Sequence, residues 1–192
     1  CSRADGFYEL RCAGEEDQMP VRIWSPLVVK GRCRTLDGKG WGLVVSVEDP
    51  EGAWHDVVLE SRDVAKRSTT ALNALLDRGL EIAPIEKAAQ SVSRLLAAWK
   101  PEATYLRVSR FGWSDKSHTA FVLGDGRVLG QEKVVTDTVS DEIAASMRAK
   151  GTLEAWKTTV AEPCVGNPLM ILAMSHAFTG PLLSILGREG GG

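Results

Sequence analysis

The chain has 192 residues, 44% hydrophobic and 25% charged, with 23 Lys plus Arg against 25 Asp plus Glu and a formal net charge of −2. The ordinary apolar share and near-neutral charge exclude a disordered chain, and the length suits one compact unit or two small ones. Four scattered cysteines exclude a disulfide framework, and without a C-x-x-C pair they argue against structural zinc.

From the N-terminus, Phe7–Cys12 reads as a first strand, and Val21–Trp24 with Pro26–Arg34 as the next extended stretch. Turn clusters at 36–40 and 48–52 then separate strands Trp41–Val47 and Trp54–Glu60, which predicts an antiparallel meander. Ser61–Lys66 reads as a helical turn or two. Thr69–Arg78 carries Leu72, Leu75 and Leu76 and ends at Gly79, a residue suited to a left-handed cap. Pro84 opens the clearest helix, which puts Ile85, Ala88, Ala89, Val92, Leu95, Leu96 and Trp99 on one face. Lys87, Gln90, Ser91 and Arg94 face away, and Pro101 stops the helix. The stripe needs a sheet to pack on.

Tyr105–Ser109 and Thr119–Leu123 read as a second set of strands, and Asp125-Gly126 sets a hairpin between Val122-Leu123 and Val128-Leu129. Ser140–Lys150 reads as a short helix with Ile143 and Met147 four apart, and Thr152 as the N-cap of a helix carrying Leu153, Trp156 and Val160. Pro163 to Gly187 holds no charged residue. That length invites a membrane span, but Asn167, Ser175, His176 and Thr179 are costly in lipid and Gly180-Pro181 breaks the run, so two buried helices are expected. The fold class expected is α+β: a meander with packed helices, a second short set of strands and a helical C-terminal segment. The expected organisation is an α+β accessory domain over 1–165, divisible into 1–100 and 101–165, followed by an apolar helical segment over 166–192.

Residues 1–60 carry seven Lys/Arg against eleven Asp/Glu and residues 61–192 sixteen against fourteen, so neither part has the excess of a free-standing nucleic-acid clamp. There is no G-x-x-x-x-G-K-[ST], G-x-S-x-G or H-E-x-x-H, and His55, His118 and His176 lack metal-ligand spacing, so no catalytic, cofactor or metal residue is assigned. His176, on an apolar helix, is expected as a hydrogen-bonded core or interface residue. The glycine-rich pieces at 38–42 and 124–130 fall between strands and read as hairpin turns, not phosphate cradles. Lys30, Arg32 and Arg34, spaced by two, would share one face of a strand, with Trp41 opening the strand that follows. Such a row can track a nucleic-acid backbone and stack a base, but a solvated sheet face is the far commoner source of the same pattern. Tyr105 and Arg107, with Ser109, form a weaker set of the same kind. Most of the six tryptophans are expected in the core or at domain contacts. The N-terminus has no apolar core of a signal peptide and no starting Met, so a segment of a longer, cytoplasmic protein with reduced thiols is expected.

Arg110-Phe111-Gly112-Trp113, Phe121-Val122-Leu123-Gly124-Asp125-Gly126 and Gly151-Thr152-Leu153-Glu154-Ala155-Trp156 form a recognisable series. It continues in Gly166-Asn167-Pro168-Leu169 and in Ser175-His176-Ala177-Phe178-Thr179-Gly180-Pro181-Leu182-Leu183. From about Trp41 to Gly192 the chain resembles the N-terminal half of a bacterial family catalogued as a domain of unknown function, number nine-two-seven. Members occur in phage, plasmid and integrated-element proteins of primase–helicase type. Gly124 departs from the proline that the family favours before the Asp-Gly turn. The resemblance implies that a P-loop ATPase core, with its ATP and Mg, would follow the final glycines, and that no nucleotide-binding residue falls on this chain.

On that resemblance the chain is expected to be an accessory module of a DNA-dependent ATPase, engaging DNA or positioning the motor without chemistry of its own. Its partners would be DNA, its own ATPase domain and, through that domain, further copies, with no membrane. Asn167, Ser175, His176, Phe178 and Leu182 are the expected interface to the motor, since small Ala173, Ser175 and Ala177 allow close approach. Two other classes remain open: an oligomerisation module of the same ATPase, and a small-molecule-binding or enzymatic domain.

Overall fold

Six consecutive buried residues, Gly42 to Val47, put one strand inside a sheet that is buried on both faces. In the computed structural model, residues 2–3, 5–12, 18–130, 133–136 and 141–188 are described. Cys1, Ser140 and the terminal 189–192, to which readings above extend, lie outside them.

Strands β1 (Ser2–Arg3), β2 (Gly6–Cys12) and β3 (Gln18–Trp24) form an antiparallel sheet. β4 (Leu27–Arg34), β5 (Gly42–Glu48) and β6 (Trp54–Glu60) form the predicted meander. Three helices follow: α1 (Ser61–Ala65), α2 (Thr69–Leu76) and α3 (Ala88–Ala98). β7 (Thr104–Val108) then pairs parallel to β4. β8 (Gly112–Trp113), β9 (Ala120–Val122) and β10 (Val128–Gly130) make a small antiparallel sheet, in which Val128 faces Val122 across the predicted hairpin. β11 (Val134–Thr136) pairs parallel to β7, completing a mixed sheet in the order β11-β7-β4-β5-β6. α4 (Asp141–Ser146) and α5 (Leu153–Trp156) follow, and α5 runs on through a π segment, Lys157–Ala161, and a 3-10 turn, Glu162–Cys164. The Thr158 and Thr159 hydroxyls donate to the carbonyls of Glu154 and Ala155, a back-bonding that loosens a helix. α6 (Pro168–Ala177) and α7 (Thr179–Ile185) close the chain. The fold is α+β.

Contacts divide the chain into one unit of Cys1–Val108 with Lys133–Asp137 and another of Ser109–Glu132 with Thr138–Gly192. In the first, Leu75, Val92 and Leu96 of the helices pack with Leu27, Val29, Leu43, Val45, Val47 and Leu59 of the sheet. Burial of each such side chain contributes about 1.5–3 kcal/mol, which is why the apolar stripe of α3 lies on the strands. Cys33, Val44 and Val135 form a smaller cluster on the other side.

Several expectations are corrected. Val21–Trp24 and Pro26–Arg34 belong to different sheets. Tyr105–Ser109 lies mostly in β7, which joins the meander's own sheet in place of a second one. The helix expected from Pro84 begins at Ala88, because Lys87 takes the left-handed conformation (φ 68) and leaves Ile85 outside; Trp99 ends it, exposed. Among the tryptophans only Trp24 is in the core; Trp41, Trp54 and Trp99 are exposed, and Trp113 and Trp156 half-buried. α6 and α7 are not buried: Leu169, Leu172, Phe178 and Leu182 are between 52% and 77% exposed. No single helix among the described residues is long and apolar enough to cross a membrane; α6 and α7 meet the criteria only as a pair bent by 55°.

Candidate functional site

The row of cations on β4 is split by a β-bulge. Val29 pairs with Val45, but Gly31 pairs with Val44, so Lys30 is an extra residue. Val45 belongs to the helix-covered cluster and Val44 to the opposite one. Arg32, paired with Leu43, therefore falls on the helix side with Arg34, whereas Lys30 points the other way and its Nζ donates to Asp56 at 2.6 and 2.8 Å. The expectation of one shared face fails because the bulge shifts the alternation by one.

The opposite face gathers Lys30, Tyr105 and Arg107. Tyr105 packs on the Cys33 and Val44 cluster, and its ring covers Gly31, where an added Cβ would lie 2.6 Å from Tyr105 Cε2. Arg107 forms an ion pair with Glu60 at 2.7 Å, and both side chains are less than one-third exposed. It also donates to the Gly40 carbonyl at 3.4 Å. Both basic groups on this face are thus matched by carboxylates. Arg34 donates to the Thr35 carbonyl at 3.4 Å, and Trp41 stands 45% exposed.

Each histidine has its own setting. His55 Nε2 lies 2.7 Å from Asp49 in the β5–β6 turn. His118 Nε2 meets Ser184 Oγ at 2.9 Å and its ring packs edge-on to Trp113. His176 is exposed on α6, not in a core. Among the described residues no three His, Cys, Asp or Glu side chains are placed to hold a metal, and Cys33 and Cys164 are buried thiols, neither in a disulfide.

Reading the sequence alone did not single out a cleft of about 650 Å3 between the start of α2 and the outer face of α3. Arg67, Lys87 and Arg94 line it, with Ser68, Gln90 and Leu72. Ser68 caps α2, its Oγ accepting from Thr70 N at 3.1 Å. Lys87 stands at the N-cap of α3 and makes no side-chain bond to that helix. The outward direction of Gln90 and Arg94 follows from helical periodicity; Arg67 and Lys87 could not be placed that way, because a left-handed backbone (φ 51 and φ 68) at a non-glycine leaves no sequence signal.

The expected motor interface is an exposed apolar surface. Asn167 caps α6, its Oδ1 accepting from Met170 N at 3.3 Å. Ser175, Phe178 and Leu182 are exposed, and Phe178 meets Trp156 edge-on with ring centres 6.0 Å apart. Trp113 Nε1 donates to the Pro181 carbonyl at 2.8 Å, which ties α7 to the small sheet.

This α+β architecture is shared with a helicase of known structure. The solved structure of SCCmec type IV Cch, described as an active helicase, matches 97% of this chain with a TM-score of 0.63 at 18% identity. The matched region is 34% of that protein, so the chain spans about a third of its length. No curated protein matches. The model of the family described as "Domain of unknown function (DUF927)" matches residues 1–192, and the chain belongs to that family.

Proposed function

We propose that this chain is the non-catalytic N-terminal module of a DNA-dependent ATPase, of helicase or primase–helicase type, carried by a phage, plasmid or integrated element. It engages DNA or sets the position of the motor, while ATP and Mg2+ are handled by the rest of the parent protein. The observation that supports this reading is one of extent: a fold match over nearly all of this chain that takes up only a third of an active helicase. The exposed apolar residues Leu169, Leu172, Phe178 and Leu182 fit a surface that docks on the motor, since so large an apolar patch is costly in water.

The test uses the parent protein. Leu172→Asp, at an exposed position, is expected to leave this module folded while lowering DNA-stimulated ATP hydrolysis and strand separation. Parent protein that lacks this module yet separates strands at the full rate overturns the reading. The same apolar surface also suits contact between copies. In that case Leu172→Asp lowers the mass of the parent assembly in sedimentation and affects hydrolysis only through it.

A further inference from the structure

Three cations line the cleft between α2 and α3, and no carboxylate is among its lining residues. Three cations outside the cleft sit against acids, Lys30 on Asp56, Arg107 on Glu60 and Arg127 on Asp125, while others such as Arg32 and Arg62 stand singly at the surface among the described residues. What sets the cleft apart is that three cations share one concavity. Arg67 and Arg94 make no ion pair among the described residues, and Lys87 pairs only with its neighbour Glu86, at 3.5 Å and with both side chains at least 70% exposed. Like charges gathered in a concavity repel one another and focus a positive potential there, an arrangement an anion relieves.

The donors fit a phosphate. Guanidinium forks match its oxygens in pairs, and the Ser68 hydroxyl, which accepts from Thr70 N, keeps its own proton to donate. The Gln90 side chain adds an amide donor, and Leu72 supplies an apolar wall. The volume lies within the range of small-molecule sites and is far larger than one inorganic phosphate fills. We propose that this cleft binds the phosphate group of a nucleotide, free or within a strand, with Arg67, Lys87 and Arg94 as its countercharges. Binding of a strand rests on the reading that this module engages DNA, and binding of a free nucleotide goes beyond it, as a site additional to the one where the motor handles ATP.

The experiment measures anisotropy of a labelled thymidine oligonucleotide and of a labelled ATP analogue with the whole chain, against Lys87→Gly, Arg67→Gly and Arg94→Gln. Glycine at 67 and 87 removes the cation while suiting the positive φ there, and glutamine at 94 suits the helix, so folding is retained and is checked by circular dichroism. One probe is expected to bind at low salt and to weaken about tenfold in the Lys87→Gly/Arg94→Gln double variant. For the oligonucleotide the log–log salt slope falls by about 0.7 for each phosphate that is no longer neutralised. Displacement of the oligonucleotide by unlabelled ATP assigns the site to free nucleotide; binding that ATP does not displace assigns it to a strand. The proposal is overturned if neither probe binds at low salt, if the folded variants bind as the parent chain does, or if Lys30→Ala, outside the cleft, weakens binding equally.

Discussion

Asp49 shows how much of this fold is held by single turn residues. Its carboxylate lies below the ordinary carboxyl range because the His55 ring bonds it first, the Ala53 N–H next at 2.8 Å, and the Glu51 N–H as well, together outweighing a small burial cost. Asp37, bonded by the Thr35 hydroxyl and the Lys39 N–H, and Asp115, bonded by the Ser117 hydroxyl and N–H, are lowered in the same way. A carboxyl lowered on folding stabilises the native state above its unfolded value, near 4, and that gain is lost as pH falls through the folded value. The melting temperature is therefore expected to fall on acidification below about pH 4, and less steeply in Asp49→Asn. Thermal melts between pH 3 and 7 check this; identical acid slopes for the two proteins rule it out. The turns themselves were legible, since Asp and Gly cluster between apolar runs. The bonding of His55 to Asp49 was not, because it depends on how the two strands flanking that turn are aligned.

At the scale of elements, the meander, the hairpin at Asp125-Gly126 and the caps at Thr152 and Asn167 follow from local patterns that nothing in the packing overrides. β4 is the contrary case. Counting by two along Lys30, Arg32 and Arg34 assumes an uninterrupted pleat, and a bulge is a property of the pair of strands. β11 could not be read either: three residues pairing parallel to a distant strand leave almost no local signal. Gly31, beside the bulge, is required by close approach: an added Cβ would stand 2.6 Å from the Tyr105 ring and 2.7 Å from the Ala103 carbonyl. The ring can turn aside, but the carbonyl is backbone and accepts from Arg32 N at 2.8 Å. Gly31→Ala is expected to cost about 1–3 kcal/mol in urea unfolding, as overpacked positions do. A variant as stable as the parent chain would show that β4 and β7 can part without loss.

On the scale of the whole molecule, the order of predicted strands and helices gave the α+β class, while burial was misjudged for the C-terminal helices. An uncharged run of sequence reads as buried because burial is the usual reason for lacking charge; here α6 and α7 keep the composition and expose the surface. The candidate site was only partly legible for a related reason: cations far apart in sequence converge through helix packing, which no spacing rule encodes. The first unit is also discontinuous in sequence, since β11 belongs to it and follows residues of the second. A chain ending at Val108 would lack β11 and leave the β7 edge unpaired, a template for aggregation. It is expected to be less soluble than one ending after Thr136, as measured by light scattering; equal solubility of the two would show that the edge needs no cover.

That late-returning strand also orders events during translation. The sheet cannot be closed on its outer flank until the residues that intervene after Val108 have emerged from the ribosome, so the earlier portion must wait, partly unzipped, for its last thread.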